Sequence, residues 1–189
     1  MKRVAVFCGS SNGATEEYIE GAIDLGRELA KRGMTLVYGG SSIGLMGAVA
    51  DTVLTEGGEV IGVMPTLLKD REIAHNHLTE LIVVQTMHER KAKMAELADA
   101  FIVLPGGTGT MEEFFEIFTW AQIGLHEKPC GLLNTNFYYS PLITFFDHMF
   151  EEQFLQEKFR PLLIVEDRPE QLFSRFEAFE PPSIKSYDK

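Results

Sequence analysis

Residues 104–113, Leu-Pro-Gly-Gly-Thr-Gly-Thr-Met-Glu-Glu, place three glycines in four positions between an apolar run and a segment of helical periodicity. The run before them, Ala100-Phe101-Ile102-Val103-Leu104, reads as a buried strand; after them Phe114, Phe115, Ile117 and Phe118 recur at helical spacing. Gly106, Gly107 and Gly109 leave no Cβ between this turn and a ligand. A helix N-terminus offers free N–H donors and a partial positive charge, so strand, glycine turn and helix together favour an anion, typically a phosphate.

The same unit recurs along the chain. Apolar runs at 4–8 and 34–38 end in Gly9-Ser10-Ser11-Asn12-Gly13 and Gly39-Gly40-Ser41-Ser42-Ile43-Gly44, and lead into helical patterns over 15–32 and 45–56. A third strand is predicted at 60–64, and a connection carrying Glu72, His75 and His77 leads to a fourth at 81–84. Then come a helix over 87–97, the strand at 101–104, a helix to about Gln122, a strand at 130–133, a helix over 141–154, a strand at 162–165 and a helix over 169–176. Strands that are apolar throughout and alternate with helices imply a mainly parallel sheet covered on both faces. The expectation is one Rossmann-like, doubly wound α/β domain binding a nucleotide over residues 1–180, with a loose tail at 181–189. In such sheets ligands bind beyond the carboxyl ends of the strands, where strand order reverses, and the glycine clusters sit at such ends.

The 189-residue length suits one core, and a formal charge of -11 argues against a broad surface for nucleic acid. A phosphate would have to be held in a local pocket. Cys8 and Cys130 have no CxxC or metal-ligand spacing and read as buried free thiols of a reducing cytosol. No signal peptide precedes the first strand and no apolar run approaches the length of a membrane span, so the expected location is cytoplasmic, without a membrane partner.

Several motifs carry two readings. The first glycine cluster is not GxGxxG, and no Walker A lysine follows any glycine turn. Gly39, Gly40, Gly44 and Gly47 serve tight turning and close packing, or ligand contact. Thr110-Met111-Glu112-Glu113 fits a capping box, in which Thr110 caps the helix and Glu113 reaches back. A phosphate in the turn would repel a carboxylate aimed at the same amides, so capping and catalysis compete for Glu113. Arg90 and Lys91 lie early in a helix, where cations oppose the macrodipole; they are a solvated face or answer an anion. His75-x-His77 lacks a third ligand and reads as loop, so no metal is expected.

Met87-His88-Glu89-Arg90-Lys91 and Pro105-Gly106-Gly107-Thr108-Gly109-Thr110-Met111-Glu112-Glu113 together resemble the LOG (Lonely Guy) family of cytokinin riboside 5′-monophosphate phosphoribohydrolases, whose signature is PGGxGTxxE with an upstream arginine-lysine pair. The likeness extends from the Cys8-Gly9 turn to Thr119-Trp120-Ala121-Gln122-Ile123-Gly124. It implies a homodimer of Rossmann-type domains that hydrolyses the N-glycosidic bond of a nucleoside 5′-monophosphate without a cofactor. The catalytic pair it implies is Arg90 and Glu113. Its implied substrate contacts are Glu72, Lys91, Gly106, Gly107, Thr108, Gly109, Thr110, Glu112 and Thr119, besides Arg90. Family members often carry a lysine decarboxylase label, which a chain this short without an identifiable pyridoxal-phosphate site makes chemically implausible. A nucleotide-binding module without catalysis and a phosphoribosyl transferase are the alternative functions.

Overall fold

The apolar runs become seven strands because branched and aromatic side chains fit a pleated surface covered on both sides. In the structure, a computed structural model describing residues 1–69 and 74–184, these are β1 (Arg3–Phe7), β2 (Thr35–Tyr38), β3 (Val60–Pro65), β4 (Glu80–Val84), β5 (Ala100–Val103), β6 (Cys130–Leu133) and β7 (Ile164–Glu166). They form one sheet in the order β4-β3-β2-β1-β5-β6-β7 with every pair parallel. The winding reverses between β1 and β5.

The helices are α1 (Glu16–Lys31), α2 (Gly44–Thr55), the single turn α3 (Thr66–Lys69), α4 (Met87–Leu97), α5 (Thr108–Gln122), α6 (Ser140–Glu151) and α7 (Pro169–Glu177). Alternation along β1 divides the core. Val4 and Val6 pack with Leu25 and Leu29 of α1, Val49 and Val53 of α2, and Phe173 of α7. Ala5 and Phe7 face Met94 of α4, Phe114 and Phe118 of α5, and Phe146 of α6. Both faces of the sheet are therefore covered, as the unbroken apolar runs require. No helix among the described residues is long and apolar enough to cross a membrane.

Most boundaries differ from the sequence expectation by a residue or so, and three differences have a local cause. α6 stops at Glu151 rather than running to residue 154, because Gln153 takes a left-handed φ of 62° and leaves Phe154 88% exposed. Leu162 belongs to a 3₁₀ turn (Glu157–Leu162), and Leu163 N donates back to Arg160 O at 3.1 Å rather than across to β6, so β7 begins at Ile164. Most consequential, α5 begins at Thr108 with Gly107 as its N-cap and no side chain capping it. Thr110 thus lies inside the first turn, 4% exposed, and is not the cap.

The capping interaction is found one helix earlier. Thr86 Oγ1 accepts from Glu89 N at 3.1 Å, and Glu89 Oε2 accepts from Gln85 N at 2.7 Å. Thr86-x-x-Glu89 therefore satisfies donors with its own side chains, while Thr110-x-x-Glu113 leaves the start of α5 free. Thr86→Ala is expected to lower the unfolding free energy by about 1 kcal/mol, read from urea denaturation, with Thr86→Ser close to neutral.

Candidate active site

The switch point is fixed by backbone. Beyond the strand ends, Leu104 N donates to Phe7 O at 2.9 Å and Gly9 N to Pro105 O at 3.0 Å, holding the two glycine turns side by side. A side chain at Gly44 would run into the backbone of Ser10, so glycine there lets α2 start against the first turn. Gly39 is needed for another reason: a Cβ there would occupy the place of Arg90 Nη2. Gly107 and Gly109 meet nothing within 4 Å on the Cβ side, so no protein neighbour demands glycine at either.

Between these turns lies a cleft of about 420 Å³, within the range of small-molecule sites. One wall is the start of α5, with Gly107, Thr108, Gly109, Thr110, Glu112 and Glu113; opposite it are Cys8, Gly9, Ser10, Gly39 and Ser41. Arg90 enters from α4, and Met46, Met64, Leu68 and Met87 form an apolar end. A larger concavity of about 620 Å³ lies between α1 and the start of α7, but carboxylates of Glu17, Glu20, Asp24, Glu28, Asp167 and Glu170 outnumber its cations, which disfavours an anion.

Arg90 and Glu113 are each 9% exposed, and Arg90 Nη2 stands 3.7 Å from Glu113 Oε1. Among the described residues the pair is incompletely satisfied: Arg90 Nε is buried without a hydrogen-bond partner there, and Nη1 reaches only Met87 Sδ at 3.9 Å. Buried guanidinium donors in native proteins find acceptors, so this arrangement suits an anionic ligand. Burial raises the Glu113 carboxyl from 4.5 to about 7, opposed by Arg90 and Lys91 and reinforced by Glu112 and Glu116. Burial likewise pushes the Cys8 thiol well above its usual range, with Glu113 adding to the effect.

The structure brings together Arg90, Glu113, Glu112 and residues 107–110 of those singled out from sequence. Gly106 lies behind the turn, lining a smaller hollow of about 190 Å³. Lys91 does not line the cleft; its Nζ is held by Glu112 Oε1 at 2.5 Å and Glu116 Oε1 at 3.0 Å. Thr119 is exposed eleven residues along α5 from Thr108, about 16 Å at the helical rise, and does not line the cleft of its own chain. Glu72 lies outside the described residues. Sequence reasoning passed over Ser10, Ser41, Met46, Met64, Leu68 and Met87; Ser10, Ser41 and Met64 could have been found, since they stand at the carboxyl ends of β1, β2 and β3. His75 uses both ring nitrogens structurally: Nδ1 accepts from His77 N at 3.1 Å, so Nε2 donates to Asp51 Oδ1 at 2.8 Å.

A family model described as "Possible lysine decarboxylase" matches residues 46–176. A probable cytokinin riboside 5′-monophosphate phosphoribohydrolase of Oryza sativa subsp. japonica is 47% identical over 189 residues, covering 100% of this chain and 78% of its own. A cytokinin riboside 5′-monophosphate phosphoribohydrolase of Arabidopsis thaliana is 48% identical over 181 residues, covering 96% and 79%. Among solved structures, the molybdenum cofactor binding protein of Rippkaea orientalis shares the fold, with a TM-score of 0.70 at 20% identity over 94% of this chain and 96% of that one. Its low identity speaks to architecture alone. The family model spans more than half the chain and the plant relatives match almost all of it, so the chain belongs to the LOG family, that of the cytokinin riboside 5′-monophosphate phosphoribohydrolases.

Proposed function

We propose that this chain hydrolyses the N-glycosidic bond of an adenine-type nucleoside 5′-monophosphate, a cytokinin riboside monophosphate or AMP, to free base and ribose 5-phosphate. The observation that carries the reading is the under-satisfied Arg90–Glu113 pair facing an uncapped helix start across one cleft. The first-turn amides, Gly107 to Thr110, hold the 5′-phosphate; Met111 N already donates to Gly107 O at 3.1 Å and marks the first intrahelical bond. Glu113 lies deeper along α5 and faces the ribose. As the C1′–N bond breaks, its carboxylate stabilises the oxocarbenium-like sugar or takes a proton from the water that adds to C1′. Arg90 clamps the phosphate or assists departure of the base, which must gain a proton. Lys91 orders Glu112 and Glu116 beside the phosphate turn, and Thr119 is part of the proposed substrate set despite its distance. A decarboxylase reaction through a lysine Schiff base has no support here, because no lysine lines the cleft among the described residues.

The location we propose is cytoplasmic, in keeping with the two buried free thiols. The assembly we propose is a homodimer across α5 and α6, where Phe115 and Phe145 are 37% and 54% exposed and Phe115 stacks on Phe146. Light scattering after size exclusion is expected to give twice the chain mass.

Purified protein incubated with AMP and with N6-isopentenyl-AMP is expected to release free base and ribose 5-phosphate, read by chromatography. Stabilisation by AMP without base release would favour a binding module, and a rate requiring an added acceptor would favour a transferase. Glu113→Gln should lower turnover by about 10²–10⁴-fold, and retained turnover would reduce Glu113 to a structural residue.

The raised carboxyl sets the sign of the pH dependence. If the ionised form works, kcat/KM rises with pH through about 7 and flattens in Glu113→Gln. The same group binds its proton more tightly folded than unfolded, so its contribution to stability is fully present below 4.5 and lost as pH rises through about 7. The loss is on the order of 3 kcal/mol. Chemical denaturation across that range should show a steeper fall for the unaltered protein than for Glu113→Gln.

Because Gly109 has open space where a Cβ would stand, Gly109→Ala should fold with unchanged or slightly higher melting temperature. It should weaken AMP binding at least tenfold, as the added methyl meets the phosphate.

A further inference from the structure

The amides of the glycine turn need a fixed direction to hold a phosphate, and one of them cannot fix its own. Gly106 and Gly107 are adjacent, so the peptide between them has no Cβ on either side to restrict its rotation. Its carbonyl, Gly106 O, accepts a 2.5 Å hydrogen bond from Tyr138 Oη. A trans peptide points its N–H opposite its C=O. Holding the carbonyl on the Tyr138 side therefore aims Gly107 N–H the other way. Tyr138 and Gly106 line the 190 Å³ hollow and not the 420 Å³ cleft, whereas Gly107 lines both, so the Gly106–Gly107 peptide stands at the boundary between them.

The segment presenting Tyr138 shows the conformational cost of reaching this carbonyl. After β6, Asn136 and Phe137 take successive left-handed φ values of 50° and 57°. Such a conformation is unfavourable for a bulky side chain, and Phe137, 76% exposed, recovers nothing by burial. What the bend accomplishes is to direct two successive phenols at the glycine turn. Tyr139 Oη donates to Leu104 O at 2.6 Å, and Tyr139 N donates to Asn134 Oδ1 at 2.7 Å. The Tyr138 ring is steadied edge-on by Tyr18 and Tyr139, at 5.7 and 4.9 Å between centroids.

We propose that Tyr138 is a positioning residue for the phosphate cradle: its hydroxyl fixes the Gly106–Gly107 peptide so that Gly107 N–H faces the ligand phosphate. This rests on the nucleotide-site reading above, with the 5′-phosphate at the start of α5. Tyr138→Phe removes the hydroxyl and keeps both ring contacts, leaving that peptide free to rotate. Calorimetric titration with ribose 5-phosphate and with adenine, neither of which is hydrolysed, separates the phosphate end of the site from the base end. Tyr138→Phe is expected to weaken ribose 5-phosphate about tenfold, to change adenine affinity less than twofold, and to shift the Gly107 amide resonance in the ligand-free protein. Unchanged ribose 5-phosphate affinity in Tyr138→Phe would overturn the positioning role and leave the site standing. Equal weakening of both ligands, with a lowered melting temperature, would overturn it in favour of a structural role. If the unaltered protein bound neither AMP nor ribose 5-phosphate, the nucleotide-site reading would fall and this inference with it.

Discussion

Two backbone hydrogen bonds past the ends of β1 and β5 are the constraint on which the site depends, Leu104 N to Phe7 O and Gly9 N to Pro105 O. They extend the ladder beyond the strands and hold two glycine turns side by side where the winding reverses, so the helices that follow diverge to opposite faces of the sheet. The crevice between the turns after β1 and β2 and the start of α5 is a product of that divergence. Its chemistry follows from what the strand ends carry into it. Gly39 makes room for the Arg90 guanidinium, and α5 begins without a side-chain cap.

The cleft sits on a protein of formal charge -11, so the anion binding proposed for it has to be short-ranged. Exposed carboxylates a Debye length away are largely screened by salt, whereas Arg90 and the first-turn amides act at contact distance in a poorly solvated crevice. Burial makes the arrangement demanding. Arg90 and Glu113 oppose each other at 3.7 Å without a hydrogen bond, and the carboxyl has risen to about 7. A buried pair left this loose stabilises the fold weakly. Its looseness leaves donors available to a substrate.

The layer structure was legible because short apolar runs such as Phe101-Ile102-Val103-Leu104, closed by a glycine turn and alternating with helical patterns, read as buried strands. Placing Arg90 and Glu113 in one cleft was legible for the same reason, since a strand end and a helix start share an edge. Capping was not. Thr86-x-x-Glu89 and Thr110-x-x-Glu113 have the same local pattern, and only the path of the backbone decides which threonine stands outside its helix. The occupancy of Lys91 was also out of reach, because Glu112 and Glu116 meet it only after α4 and α5 have packed. The tyrosines after β6 gave no periodic signal at all; their partners lie more than thirty residues away in the chain.

The floor of the cleft has a chemical consequence of its own. Cys8 lies there, 8% exposed, with burial and then the Glu113 carboxylate holding its proton in place against the opposing charge of Arg90. Thiolate, not thiol, is the species that peroxide oxidises and electrophiles alkylate. The same desolvation that raises Glu113 thus favours the protonated, less reactive form of this sulfur. The pull of Arg90 toward thiolate is outweighed there, so a polarizable sulfur lines the cleft as a thiol.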